Sequence, residues 1–307
     1  MTKIILGVIL DLLLGDPYSL PHPIKLMGRI ISFEEKIFRS IFKTELGLVI
    51  AGFLMVLINV TLGIFPIYFL LKNTKGIVNY AIYVITYYYC ISARMLHYES
   101  MEVKKALEIS LAAGRERVKY IVGRDTANLD EKEIVRATVE TVAENTSDGV
   151  IAPLFYIILF GPMGGLAYKF INTMDSMVAY KNEKYFYLGK VPAIVDDIAN
   201  FIPARITAFI MCLTELSPRK IQNAMRIVLR DGRNHTSPNA GFPEAAVAAI
   251  LGVQLGGGQF YNGVYVEKPT LGDRTREIGI GDIFKTSKIM YKTEILFLIF
   301  ILILNLM

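Results

Sequence analysis

Glu140, Glu144 and Asp148 recur at i, i+4 and i+8, which sets three carboxylates along one face of a helix. Such a row binds a cation or meets basic partners; the alternative is a solvated face paired with Arg136. The sequence turns apolar directly after Asp148, where solvation would fail, and charge held beside hydrocarbon usually has a chemical task. Asp196 and Asp197, followed by Asn200, place two carboxylates and an amide within one helical turn. Oxygen ligands of this kind suit Mg²⁺, which also takes substrate phosphate oxygens. The plainer reading is one Asp capping a helix and the other bridging to Arg205. Arg230-Asp-Gly-Arg-Asn-His235 followed by Thr-Ser-Pro-Asn-Ala-Gly offers Arg230 and Arg233 as forks for phosphate or carboxylate. Ser237 or Asn239 could cap a helix starting near Pro243 and present its free N–H groups to an anion. An ordinary charged helix end explains the same residues. Of three histidines, His22 sits between prolines and His97 follows an apolar run, so His235 is the general-base candidate, with a structural hydrogen bond as the competing role. Gly256-Gly-Gly258 lacks the Lys-Ser/Thr of a phosphate-binding loop and reads either as a flexible connection or as a place for substrate to approach.

These residues need elements to hold them, and the composition says what kind. Of 307 residues, 53% are hydrophobic, and the mean hydropathy is +0.43. Soluble domains have about 45–50% apolar residues even with Gly counted, so the chain reads as an integral membrane protein with sizeable polar parts. A net charge of +5 fits basic loops against an anionic leaflet or phosphate-bearing substrates; it does not call for nucleic acid. Cys90 and Cys212, both in apolar runs, make neither a disulfide framework nor a zinc site. The N-terminal run resembles a signal peptide, but Asp11 interrupts it and no small-residue cleavage site follows, so a retained helix is expected.

The expected architecture is mainly α: a polytopic helical membrane protein with broken or partly inserted helices, cytoplasmic helical segments and one small β-hairpin, organised as a single integral membrane domain over residues 1–307. Spans are expected at 46–71 and 77–96, joined by the short turn Lys72–Gly76. Their outer ends are rich in Lys and Arg, which places that side in the cytoplasm despite Lys72 and Lys75 opposite. Further apolar segments lie at 4–14, 149–170, 193–213 and 295–307, the last short for a span and so expected to be tilted or interfacial. Polar segments occupy 97–148 and 214–292. Pro153, Pro162 and Gly164-Gly165 in one apolar run, and Asp196, Asp197, Pro203 and Arg205 in another, suggest irregular helices facing a protein interior. Val135, Val139 and Val142 mark the buried side of a helix, Ala245–Val253 a short apolar helix, and Gln259–Val266 a hairpin around Asn-Gly.

Several motifs then occur in one order: Asp11-x-x-x-Gly15-Asp-Pro with Pro21-His-Pro23, Val122-Gly-Arg-Asp-Thr126, Glu144-Asn-Thr-Ser-Asp-Gly149, Asn172-Thr-x-Asp-Ser176, Tyr180-Lys-Asn-Glu183, Asp196-Asp197 with Pro203-Ala-Arg205, and Ser237-Pro-Asn-Ala-Gly241 with Pro243-Glu244. Together they resemble the CbiB/CobD family of cobalamin biosynthesis, the adenosylcobinamide-phosphate synthases, over roughly residues 7–273. The resemblance implies a multi-pass membrane enzyme that joins the free propionate carboxylate of adenosylcobyric acid to the amine of (R)-1-amino-2-propanol phosphate, or of the free aminoalcohol, consuming ATP. A carboxylate is a poor electrophile, so activation as an acyl-phosphate is the expected route.

Under that reaction Asp196, Asp197, Glu144 and Asp148 are assigned to Mg²⁺. Arg124, Lys181, Arg230, Arg233 and Asn239 are assigned to phosphate or carboxylate groups of ATP and the substrates. Asp197, Glu144 and His235 are the catalytic candidates, a carboxylate or His235 serving as base. The partners implied are the corrinoid, the aminopropanol phosphate and the lipid bilayer, with no nucleic acid, the oligomeric state left open and the active site facing the cytoplasm. A corrinoid-binding transporter and a Mg²⁺-dependent transferase on a lipid-linked phosphate are the rival readings.

Overall fold

The computed structural model describes residues 1–16, 23–180, 182–261 and 263–306. His22 and Lys181 lie outside them. The chain is a mainly α-helical membrane protein, and among the described residues three helical stretches are long and apolar enough to cross a membrane: Glu45–Asn73, Glu131–Val178 and Gly281–Leu306. Contacts divide it into two compact units, one of residues 1–92 and 152–200, the other of 93–151 and 201–307.

The first unit contains α1 (Thr2–Leu14), α2 (Pro23–Ile41), α3 (Glu45–Asn73), α4 (Gly76–Cys90), α8 (Ala152–Val178) and the first part of α9 (Lys190–Leu213). Thr44 starts α3 by accepting the Gly47 N–H at 3.1 Å, which satisfies one of the free donors of the first turn. α3 and α8 pack closely where a side chain on Gly63 would come within 2.8 Å of the Ala167 backbone. Small residues are the usual means of bringing helix backbones together in lipid. α8 is broken at Gly161, whose φ of 63° and ψ of −151° leave the helical region. Glycine adopts this conformation without penalty, and Pro162 starts the second arm. The break expected within 149–170 is therefore at this residue. α9, by contrast, is continuous through Pro203.

The apolar run 77–96 is not one helix. α4 stops at Cys90, Ile91 is extended, and α5 begins at Ala93. Fifteen residues give a helix about 22 Å long at 1.5 Å per residue, short of the roughly 30 Å hydrocarbon core. Hydropathy could not reveal the break, because Ile91 and Ala93 on either side of it are both fully buried apolar residues. The C-terminal run departs in the other direction. Residues 295–306 finish α12 (Gly281–Leu306), whose earlier turns carry Asp282, Lys285, Lys288, Lys292 and Glu294. The helix is long enough to cross, although its charge-free part alone is not.

The second unit contains α5 (Ala93–Ile109), α6 (Leu111–Val118), α7 (Glu131–Thr146), a π turn at Ser147–Ile151, the end of α9, α10 (Pro218–Asp231), α11 (Gly241–Leu251), four short strands and α12. Asp130 and Glu133 start α7 with a reciprocal capping box, so the helix register that carries Glu140 and Glu144 is fixed from its first turn. Val135, Val139 and Ala143 of α7 enter a core shared with Ala208 and Met211 of α9, Ile227 of α10, Ala245 to Ala248 of α11 and Ile283 of α12. Each fully buried Val or Ile contributes about 1.5–3 kcal/mol. α11 is apolar almost all round and lies in the middle of this core. β1 (Leu255–Gly256) pairs antiparallel with β4 (Thr270–Leu271), and β2 (Gln259–Tyr261) with β3 (Val264–Val266). The second pair is the expected hairpin. It is tied down by Asp125, which donates its backbone N–H to the Phe260 carbonyl and accepts that of Gly263.

Candidate functional site

A cavity of about 260 Å³ opens within the second unit. α7 supplies Glu140, Thr141, Glu144 and Asn145; the loop before it supplies Arg124; the α10–α11 loop supplies His235; the first turn of α11 supplies Glu244; and Gly256, Gln259 and Lys268 come from the strand region.

Glu140 organises the wall. It is buried and accepts from Arg124 Nη2 at 2.5 Å, from the Gly256 N–H at 2.7 Å and from Gln259 Nε2 at 3.3 Å. Gln259 in turn accepts from Lys268 Nζ at 3.5 Å. Glu140 can reach Gly256 only because that residue is glycine: its φ is +74° and an added Cβ would lie 2.3 Å from the Pro269 carbonyl. Gly256, first of the Gly-Gly-Gly run, is thus part of the cavity wall. Glu140 is neither solvated nor paired with Arg136, since Arg124 takes that place.

His235 and Glu244 face each other across the cavity, Nε2 to Oε1 at 4.0 Å. His235 Nδ1 accepts the Ser237 N–H at 3.0 Å, so in the neutral ring the proton is on Nε2. Burial lowers the imidazole pKa, and Lys268 adds to the effect. The ring is therefore neutral with both nitrogens occupied, and it is a poor proton acceptor. Glu244 is the opposite case. It is buried at the head of α11, and burial, then Glu140 and Glu144, push its carboxyl well above the ordinary range. A carboxylate raised in this way has a basicity closer to neutral pH, where general bases work best.

The other residues singled out in the sequence are placed as follows. Arg230 is exposed and clamps Asp231, Nε to Oδ1 at 2.6 Å and Nη2 to Oδ2 at 2.7 Å, while also reaching Asp273 at 2.9 Å. Asp231 also accepts the Gly272 N–H, so this pair braces α10 against β4. The Arg230 contact is the main cause holding the Asp231 carboxyl below its usual pKa. A depressed carboxylate stabilises the fold above its unfolded pKa of about 3.9 and loses that contribution as pH falls. Asp231→Asn should therefore cost about 1–2 kcal/mol at pH 7, moderated by the water around Arg230, and the cost should shrink between about pH 5 and pH 3. Thermal unfolding in detergent across that range checks this; a pH-independent difference would contradict it.

Asn239 is buried and accepts from Arg205 Nη1 at 3.1 Å. Neither Ser237 nor Asn239 is the N-cap of α11, which is Ala240; Ser237 Oγ instead accepts the backbone N–H groups of Asn239 and Ala240. Arg233 is exposed and does not line the cavity. Of the four residues assigned to Mg²⁺, Glu144 lines the cavity and Asp148 lies in the π turn of the second unit, whereas Asp196 and Asp197 belong to α9 in the first. There Asp196 accepts from Asn200 at 2.9 Å and Asn172 at 3.5 Å. Among the described residues no group of three or more His, Cys, Asp or Glu is placed to hold a metal ion.

A family model described as CobD/Cbib protein matches residues 4–290. The chain belongs to the CobD/Cbib family. It is 46% identical to a protein of Clostridium perfringens over 94% of its own length and 93% of the relative's. It is 45% identical to a protein of Geobacter metallireducens over 95% and 93%, and 45% identical to one of Listeria monocytogenes over 95% and 94%. All three relatives are named Cobalamin biosynthesis protein CobD. No solved structure matches the chain.

For this CobD/Cbib chain, sequence reasoning had selected Arg124, Glu144 and His235 from the cavity and overlooked Glu140 as its organiser, Glu244, Gln259 and Lys268. One signal was available. Glu244 is the sole charged residue in Gly241–Leu251, and a lone carboxylate in an otherwise apolar helix invites a functional explanation. Nothing in the sequence marked Lys268 or Gln259.

Proposed function

We propose that this chain is an ATP-dependent amide ligase of cobalamin biosynthesis, joining an aminopropanol, free or phosphorylated, to the propionate carboxylate of adenosylcobyric acid. The products are the corrinoid amide, ADP and phosphate. Family membership supports the pathway. The observation that carries the chemistry is the cavity itself: Glu144 and Glu244 beside a neutral His235, with Arg124 and Lys268 on the same wall.

An aminoalcohol phosphate has an ammonium at one end and a phosphate at the other. Glu144 and Glu244 suit the first, Arg124 and Lys268 the second. The amine can attack only after losing a proton, and Glu244 in its ionised form takes it. His235 Nε2–H faces the carboxylate and favours its ionised form before the proton is transferred. ATP, when bound, supplies the phosphoryl group that makes the corrinoid carboxylate electrophilic. Mg²⁺ accompanying nucleotide phosphates needs only one or two protein carboxylates; Glu144 is such a group in the cavity. Glu140 positions Arg124 and Gly256 and does not touch the substrate.

The membrane-crossing helices fit an anchored, multi-pass enzyme with this cavity on the cytoplasmic side. Protein purified in detergent, given adenosylcobyric acid, aminopropanol or its phosphate, ATP and Mg²⁺, should form the corrinoid amide with release of ADP. Failure to form amide with either amine would reject the reading. ATP hydrolysis without amide formation would favour a transport role.

A further inference from the structure

A second cavity, of about 200 Å³, lies in the same unit beside the start of α7, lined by Lys132, Arg136, Arg274 and Arg276 together with Asp130, Glu133 and Glu277. Its acidic residues are committed. Asp130 and Glu133 hold each other's backbone in the capping box. Glu277 accepts from Lys132 at 3.0 Å and from Arg274 Nε at 2.9 Å. Arg276 forms a two-pronged pair with Asp282, both bonds 2.7 Å, and donates Nε to the Leu251 carbonyl at 2.9 Å. Arg136 differs from these. It is half-buried, and its Nε is buried with no hydrogen-bond partner among the described residues. An unmade hydrogen bond from a buried guanidinium N–H costs free energy that an anion entering the cavity would recover.

We propose that this cavity is a binding site for a phosphate group, with Arg136 as its principal donor. Carboxylate ligands are satisfied by a single fork. Here a guanidinium is joined by the ammonium of Lys132 and the fork of Arg274 from other directions, which suits an anion with three or four oxygens. Lys132 and Arg274 are exposed, 54% and 63% at the side chain. Their bridges to Glu277 are of the solvent-screened kind that contributes little, so both can turn to a ligand at small cost. The site differs from the first cavity in charge. There, Glu140 already satisfies Arg124, and two further glutamates line the wall. Here, all carboxylates are taken and one cation is left over. This proposal does not depend on the ligase reading.

The full-length protein in detergent should be titrated with orthophosphate, pyrophosphate, ATP and aminopropanol phosphate, following thermal unfolding and direct calorimetry. Saturable binding of at least one probe is expected, accompanied by a rise in Tm. Arg136→Gln should weaken it roughly tenfold to a hundredfold, the loss of one charge-assisted contact, and Arg136→Lys should retain part of it. Arg219→Gln, a cation outside the cavity, should bind as the wild type does. Should Arg136→Gln fold poorly, Arg274→Gln provides the same comparison at the rim. Tighter binding of ATP than of orthophosphate identifies nucleotide phosphates as the source, tighter binding of aminopropanol phosphate identifies the amine substrate, and equal binding identifies the free ion. No saturable binding of any probe, or unchanged affinity in Arg136→Gln, would overturn the assignment. Amide formation without phosphate binding would sink this site and leave the ligase reading intact; the reverse result would do the opposite.

Discussion

Glu244→Gln should lower amide formation by about 10²- to 10⁴-fold, the usual worth of a positioned general base, while making the folded protein more stable at alkaline pH. The two effects have one cause. Burial and the neighbouring Glu140 and Glu144 oppose ionisation of Glu244, so the group that the reaction needs charged is one the fold prefers neutral. The sign follows from linkage. With the folded pKa raised, the wild type keeps its full stability below the unfolded value of about 4.3 and loses some as pH rises through the folded pKa. Gln carries no proton to lose. The advantage of the variant should therefore appear above about pH 4.3, grow by about 1.4 kcal/mol per pH unit, and level off beyond the folded pKa. Activity of the wild type should rise over the same interval as Glu244 ionises, and this acid limb should be missing from the residual activity of Glu244→Gln. A variant that keeps wild-type turnover and its acid limb would remove Glu244 as the base. His235→Ala, which has no side-chain donor to assist ionisation, should shift the acid limb upward without erasing it.

Glu140→Ala should be the most damaging single change to the cavity wall. It strands Arg124, only 12% exposed at the side chain, and leaves the Gly256 N–H and Gln259 amide without their acceptor. Breaking a buried ion pair from one side costs about 3–5 kcal/mol, and the loss of the wall should remove measurable turnover. Replacing both partners, Glu140→Leu with Arg124→Met, should recover part of the stability and none of the activity, because the stranded charge is gone and the wall is still broken. Thermal melts of the three proteins in one detergent, with the ligase assay alongside, separate the two effects. If Glu140→Ala melts within about 1 kcal/mol of wild type, Glu140 does not organise the cavity.

How much was legible in the sequence depended on the range of the interaction. Helical spacing put Glu140 and Glu144 on one face, and the Asn-Gly signal placed the β2–β3 hairpin, because both depend on residues close in the chain. Which basic group meets Glu140 was hidden for the same reason. Arg136 is one turn away, but Arg124, on a loop, and Gly256, far along the chain, are the groups that reach it. Lys268 enters through a strand connection that no local pattern marks. Similar chemistry in Asp148 and Asp196 says nothing about proximity: Glu144 and Asp148 belong to the second unit, Asp196 and Asp197 to the first. Hydropathy found α3, ran through the break at Ile91, and undercounted α12 because charged residues occupy its first turns.

The order of the segments has a consequence for synthesis. Residues 152–200 of the first unit interrupt the second, whose parts are 93–151 and 201–307. When Glu140 and Glu144 leave the ribosome, their partners His235, Glu244, Gly256 and Lys268 are still unmade. The contacts that build the cavity close loops of a hundred residues and more, as between Glu140 and Gly256, and loops of that length are the late and slow events of folding. A nascent chain thus has an incomplete binding pocket until nearly all of it is translated. The helical segments of the first unit, which ends at residue 200, are therefore made before the cavity can close.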